Sequence, residues 1–537
     1  MTTPTITPYR PGTQAGRDRF PQLLRAEWTK FRTVRGWVIG MIVAALVTVV
    51  LGLLISVGGS NTCQSSPASP VLSGAACLPH IPLGPGGQAV TDQFYFVRQP
   101  LTGNGSITVR ATSLTGLYTN SNAQAGPGLT KGTEPWSKAG VIITASTRPG
   151  SAYAAMMITG SHGVRMQYDY THDTAGLPGA VSAASPRWLR LTRSGDTITG
   201  YDSTDGTHWT QVGTARLAGL SSTVQAGLFA TSPAHSTVVS QSLGGGTNAG
   251  GPTLATGVFD HASLPGASPG GTWTGDAVGG KATGGALSKG FQGFHQAGGR
   301  FTVGGSGDIA PLVPAATAGL PISTIEQGLV GVFAGLIAVI VVAVMFITAE
   351  YRRGMIRTTL AASPRRGRVL AAKAIVAGAV AFVAGLAAAL VTVPLGNRLA
   401  HAKGSYVLPV TSLTEVRVIV GTAALLAVAA VLAVAIGTAL RRSAGAVTAV
   451  IMVIVLPYIL GSAAVLPVGA ENLLLRVTPA AAFAIQQTTP QYPQVTAGYT
   501  PTAGYFPLAP WAGFAVLCAW AALALGLAVV LLRRRDA

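Results

Sequence analysis

Six uncharged stretches, each long enough to cross a bilayer, constrain this chain more than any other feature: Trp37–Val57, Gly328–Thr348, Ala374–Pro394, Val418–Leu440, Val447–Pro467 and Trp511–Leu532. At about 1.5 Å per helical residue, some 21 residues reach roughly 31 Å, close to the thickness of a hydrocarbon core. Backbone groups in lipid must bond within their own segment, so these stretches are expected to be helices. Only 10% of the 537 residues are charged, against roughly 25% in soluble proteins, which excludes an ordinary soluble enzyme. The first stretch is too long for the apolar part of a cleavable signal and reads as an uncleaved span. Residues 58–327, rich in Gly, Ser and Thr, form a separate polar segment between the first two spans.

The formal charge is +19, and its distribution gives it meaning. Of the 36 Lys and Arg, 19 fall before the first span, in 349–373, at Arg441 and Arg442, and at Arg533–Arg535. The short loops opposite hold only Arg398, Lys403, Arg417 and Arg476. The positive-inside rule then places both termini in the cytoplasm of a multi-pass plasma-membrane protein, with residues 58–327 outside. The charge therefore reports topology, and no nucleic-acid partner is implied.

No Asp, Glu, Lys, Arg or His lies within the six stretches; Glu326 and Glu350 flank the second. Ion-coupled carriers keep ionisable residues near the midplane, so an ion-coupled mechanism loses weight. A bundle that only anchors an outer domain would lack charge too, but one span suffices for that. Small residues at Gly36 and Gly40, Gly331 and Gly335, and Ala374, Gly378 and Gly385 allow close helix approach, favouring packing within the chain over a dimer seam. Pro457 should kink the fifth span.

Ahead of the first span, Phe20, Leu24, Trp28 and Phe31 share one helical face, with Arg25, Lys30, Arg32 and Arg35 on others. This is the pattern of a helix lying among lipid headgroups, and equally of a basic topogenic flank. After the second span, Gly354 allows a break, Met355–Ala362 can form a short helix and Ser363-Pro364 stops it. Such a helix suits a lever for a partner; a plain basic loop is the other reading.

The segments Leu24–Gly36 and Thr348–Ala362 resemble those of actinobacterial ABC-2-type transporter permeases. The resemblance implies six transmembrane helices, an interfacial elbow helix containing Glu27, Trp28, Lys30 and Arg32, and a coupling segment containing Glu350, Tyr351, Arg352, Arg353, Arg357, Thr358 and Thr359. It further implies a separate ATP-binding subunit carrying ATP and magnesium, a second copy or homologous permease, and no cofactor in this chain. The insert of about 270 residues between the first two spans departs from the short loop of simpler members.

Residues 58–90 read as a linker holding Cys63 and Cys77, which could pair on an oxidising side. From Gln93 to Ser242, about ten short alternating or β-branched runs predict an all-β sandwich, with hairpins at Ser194-Gly195-Asp196 and Asp205-Gly206. The stretch Pro186–Thr210 is similar to concanavalin A-like, laminin G-like jelly rolls. Residues 243–327, Gly-rich, either complete the sandwich or form a stalk. Folds of that kind often bind glycans, so cell-wall sugar is a candidate ligand and calcium a conceivable but unsupported one. Tyr168, Asp169, Tyr170, His172 and Asp173 are the candidate patch; ordinary strand and turn roles compete. Asp169 with Asp202 or Asp205 could form a hydrolytic pair only if correctly spaced, while Trp188 and Trp209 read as core. Gly275–Ala282 nearly spells a P-loop, but Ala282 stands where the magnesium-binding hydroxyl belongs. No metal site or catalytic motif emerges. Transport as an ATP-driven exporter subunit, a multispan-anchored glycan receptor and an ion-coupled carrier are the competing functions.

Overall fold

The computed structural model describes residues 20–535 apart from 59–61, 64–71, 121–127, 241–245, 267–270, 281–289, 315–320, 356–364, 463–465 and 498. Its helices, in chain order, are α1 (Phe20–Thr33), α2 (Arg35–Val57), α3 (Ile325–Gly328), α4 (Val332–Arg352), α5 (Arg366–Ala402), α6 (Ser412–Leu440), α7 (Ser443–Ser462), α8 (Val468–Val477) and α9 (Pro510–Arg535). Six of them, α2, α4, α5, α6, α7 and α9, are long and apolar enough to cross a membrane. They carry large aliphatic side chains on all faces because lipid, not water, is the surrounding solvent. The helix α5 is 37 residues long and extends well beyond 374–394 at both ends.

Close packing of α2 on α4 depends on missing side chains. A Cβ at Gly331 would fall on the Thr48 carbonyl oxygen, and one at Gly335 on the Thr48 hydroxyl. Gly40 likewise faces Val342 of α4, and Gly385 faces Leu426 of α6, whereas Gly36 has open space around it. The centre of the bundle is α6, packed against α4, α5 and α9, and Pro457 lies inside α7.

The insert between α2 and α3 folds as two antiparallel sheets face to face. One has seven strands, ordered His172–Ala175, Val164–Tyr168, Tyr153–Thr159, Lys138–Thr144, Thr223–Thr231, Phe94–Thr102 and Thr274–Val278. The other has eight, built on the sixteen-residue strand Gly105–Asn120 between Arg187–Ser194 and Thr253–Ser263. Alternation sends Ile107, Val109, Leu189 and Leu191 inward to meet Val141, Ile143, Leu228 and Met156. Gly195 and Gly206 take positive φ at the two expected turns. The Gly-rich stretch completes both sheets: Thr253–Ser263, Gly293–Ala297 and Arg300–Gly305 join the larger one, and Thr274–Val278 edges the smaller. A Cβ at Gly305 would fall on the Ala230 carbonyl oxygen, so glycine there is a packing requirement.

The second face of the seven-stranded sheet is also buried, in a cluster of Phe94, Phe96, Tyr153, Tyr170, Phe229 and Ile309. Segments on that side seat the sandwich on the helix bundle. Leu408, between α5 and α6, packs on Ala89 and Leu312, and Val495, between α8 and α9, packs on Ala310 and Val313. The Gln494 amide donates to the Tyr170 carbonyl at 3.1 Å, and Ile322–Ser323 pairs in parallel with Tyr406–Val407.

Candidate functional site at the charged end of the bundle

The end of the bundle where α1 begins and α9 ends holds a four-residue ionic cluster, buried except for the partly exposed Lys30. On α1, Phe31 packs into the bundle and brings Glu27, one turn earlier, to the same face; both are buried. Phe31 and Trp37 each meet the ring of Phe346 edge-on, at centroid distances of 5.4 and 5.1 Å. From α5, Lys373 reaches across this aromatic floor with its Nζ 4.7 Å from the Phe346 ring centre. The same Nζ donates to Glu27 Oε2 at 2.6 Å and to Glu350 Oε1, near the end of α4, at 2.7 Å. Lys30 closes the cluster, 2.7 Å from Glu27 Oε1 and 3.1 Å from Glu350 Oε1. Burial pulls the Lys30 ammonium down, but its bond to Glu27 and the charges of Glu27 and Glu350 outweigh this and hold it above the ordinary lysine value.

Two glutamates and two lysines from three elements thereby balance one another's charge, with Glu27, Glu350 and Lys373 buried and Lys30 partly exposed. Such a cluster contributes little net stability compared with apolar packing, yet removing one member is expensive. Its consequence is positional: α1, the end of α4 and the start of α5 move as one body or break apart.

The sequence-derived residues distribute clearly around it. Glu27, Lys30 and Glu350, from two separate segments, meet here. Trp28 and Arg32, each one position after Glu27 and Phe31, are exposed beside that buried face of α1. Tyr351 turns toward the loop after α6, with the Arg441 guanidinium 5.1 Å from its ring centre. Arg352 and Arg353 are exposed where α4 ends, and Gly354 follows with a φ of 67°. Arg357, Thr358 and Thr359 lie outside the described residues. Lys373 is the member that sequence reasoning missed: it adjoins the apolar stretch drawn from Ala374, where it counted only as a flanking charge. A lone lysine in the run Val369–Gly378 was the available signal.

At the opposite end, Glu326 on α3 is buried and takes the Thr488 hydroxyl at 2.9 and 2.7 Å on its two oxygens, and the Thr488 N–H at 3.3 Å. Burial pushes this carboxyl up to about 7 against those bonds. Gln486 donates to Thr422 of α6 at 3.1 Å, and Arg417 donates to the Gln487 carbonyl. The fully buried 3-10 segment Pro479–Gln486 is thus pinned to α6.

In the sandwich, the patch around Tyr168 is a tight hairpin whose side chains diverge. Asp169 and Tyr170 both adopt positive φ, which turns Tyr170 inward; its hydroxyl donates to Asp92 at 2.7 Å. The Tyr168 ring stacks on His172 at 4.2 Å, and Asp173 pairs with Arg165. Asp202 accepts from the Leu177 N–H at 2.6 Å, and Asp205 accepts from the N–H groups of Thr207 and His208. The pairing proposed for Cys63 and Cys77 involves side chains outside the described residues. Among the described residues, no group of three or more His, Cys, Asp or Glu is placed to hold a metal ion.

The outer face of the eight-stranded sheet carries a shallow groove of about 750 Å³. Trp188 and Trp209 sit on this side, half-buried, not in the sandwich interior. The Arg190 guanidinium lies 3.7 Å from the Trp209 ring centre, and its Nε donates to Thr108 at 3.0 Å. A bulge after Asp260 sets His261 at a φ of 52°, with its ring 5.4 Å from Trp188. Bulges re-aim side chains in this way beside binding surfaces and at sheet edges alike.

Comparison with known proteins adds a family. The family described as "ABC-2 family transporter protein" matches residues 195–537. No curated protein matches the chain. Among solved structures, a functionally unknown protein from Saccharomyces cerevisiae matches with 15% identity and a TM-score of 0.23, over 40% of this chain and 99% of that one. Two structures of scytalido-glutamic peptidase bound to transition-state analogues match at 11% and 10% identity, with TM-scores of 0.21 and 0.23, over 40% of this chain and 98% of theirs.

Proposed function

Because this chain belongs to the ABC-2 family of transporter proteins, a family of membrane transport subunits not themselves catalytic, we propose that it is the permease of an exporter driven by a separate ATP-binding subunit. In this reading the termini are cytoplasmic, residues 58–327 are extracellular, and a second copy or a homologous permease completes the translocation path. ATP and magnesium belong to the partner. The partner's closure would push on 349–373, where Arg352, Arg353, Arg357, Thr358 and Thr359 would face it. The observation that carries the reading is the Glu27–Lys373–Glu350 cluster: it ties the segment before the first span to both helices flanking the loop that a partner would push. A push there reaches three elements at once without any change inside the bundle.

The test is purification of the tagged chain from its own host in mild detergent, followed by mass spectrometry. A stoichiometric subunit with Walker A and Walker B motifs supports the permease; repeated recovery without any ATPase counts against it.

A second reading, a multispan-anchored receptor for surface glycan, draws on the sandwich. Aromatic rings beside hydroxyls and an arginine, as at Trp188, Thr108, Thr192 and Arg190, can stack on and hydrogen-bond to a sugar. The groove, not the Tyr168–Asp173 hairpin, is where such a ligand would sit. Binding of the full chain in nanodiscs to acidic glycans, abolished in Arg190→Gln, would favour this role; with an ATPase also present, the groove would serve the transporter.

A further inference from the structure

We infer that the groove between α1, α2 and α5 is a binding site for one anionic phospholipid. Of α2, only Met41, Ala44, Thr48 and Gly52 are buried, while Ile42 and Leu46 are more than half exposed. On α5, Val383 is 65% exposed. Between these faces lies an apolar cavity of about 570 Å³. Its floor is low because Ala45, Ala379, Ala384 and Ala387 present only methyl groups. The lining runs from Val38 to Leu46 along α2 and from Ala379 to Ala387 along α5, eight helical steps in each case, or about 12 Å at 1.5 Å per residue. That is most of one leaflet's hydrocarbon depth of about 15 Å. An acyl chain has this shape and polarity.

The mouth of the groove selects the headgroup. Trp28, 46% exposed, and Arg32 line it at the α1 end, and Arg25, one heptad before Arg32, shares that face. Trp at the interface with Arg beside it is suited to a phosphate-bearing headgroup. A second copy of this chain is the rival occupant, and charge argues against it. At this end of the bundle the described carboxylates are Glu27 and Glu350, both buried in the ionic cluster. Another copy could offer these arginines only Asp18 or Asp536, both outside the described residues. The lipid phosphate is the complementary partner, and the inference holds whether or not the chain transports anything.

Native mass spectrometry of the full chain tests it, with phosphatidylglycerol or phosphatidylcholine added as the probe. One phosphatidylglycerol per chain should survive detergent removal, with at least tenfold preference over phosphatidylcholine. Ala384→Phe, which fills the groove, should abolish retention, whereas Leu523→Phe on the exposed face of α9 should not. Arg32→Gln, which spares the packing, should reduce the headgroup preference severalfold. Retention unaffected by Ala384→Phe would overturn the inference, as would equal retention of the two lipids. So would efficient disulfide dimerisation through Leu46→Cys without bound lipid, which would assign the groove to a second copy.

Discussion

The Lys373 ammonium lies 2.6 Å from Glu27 and 2.7 Å from Glu350, joining residues 346 and 23 positions away in the chain. These two contacts tie α1 to the end of α4 and the start of α5.

Lys373→Met should therefore destabilise the chain strongly. It strands two buried carboxylates with only the partly exposed Lys30, at a cost of about 3–5 kcal/mol. The expected result is a lower thermal midpoint in detergent. Adding Glu350→Gln should recover part of the loss, and a double-mutant cycle between these positions should show coupling above about 1 kcal/mol.

Replacing Arg357 and Thr358 together by Ala should uncouple transport without loss of membrane insertion. Transport assays in vesicles containing the partner check this. Undiminished transport would remove 349–373 from the coupling role.

The sandwich should lose stability as pH rises. Burial raises the Asp92 carboxyl to about 6, against the bonds from Tyr170 and Gly150. A carboxyl raised in the folded state holds its proton more tightly there than in the unfolded chain. Its contribution is full below about pH 4 and is lost as pH climbs through about 6. With roughly two pH units between these values, about 3 kcal/mol is the upper scale. Urea denaturation of the full chain between pH 4 and 7 should show the decline, and Asp92→Asn should flatten it.

Gly335→Ala should weaken the bundle by about 1–3 kcal/mol, since the new methyl group falls on the Thr48 hydroxyl and forces α2 from α4. Gly445→Ala, with open space around it, should be neutral or stabilising by helix propensity. Thermal midpoints of the two variants should move in opposite directions or differ by several degrees.

Much of the fold was legible because lipid and a sheet interior impose strong periodicities. The uninterrupted apolar runs correspond to six helices, and period-two alternation located strands such as Thr197–Ser203 to the residue. The Gly-rich stretch was legible only as a choice between sandwich and stalk: Gly305 is there because of the Ala230 carbonyl opposite, a contact 75 residues away that leaves no local pattern. Glu27 and Glu350 were visible as lone carboxylates beside basic and apolar runs, but Lys373 looked like the edge of a span. Tyr170 resembled a surface aromatic because the sequence does not reveal that its turn adopts positive φ and directs the ring inward. Trp188 and Trp209 looked like core for a related reason: their size favours burial, yet their strand positions put them on the sheet's second face.

The cluster at the base of α4 has a consequence for energetics at the scale of the whole membrane. Its two ammonium and two carboxylate groups sum to zero, so shifting them together carries no net charge through the field. A potential of 100 mV does about 2.3 kcal/mol of work per elementary charge moved across a bilayer, and on this unit that work vanishes. These four groups therefore add nothing to the voltage dependence of a rearrangement that keeps them together, and any such dependence comes from the arginines carried on the same helices, such as Arg32 and Arg352.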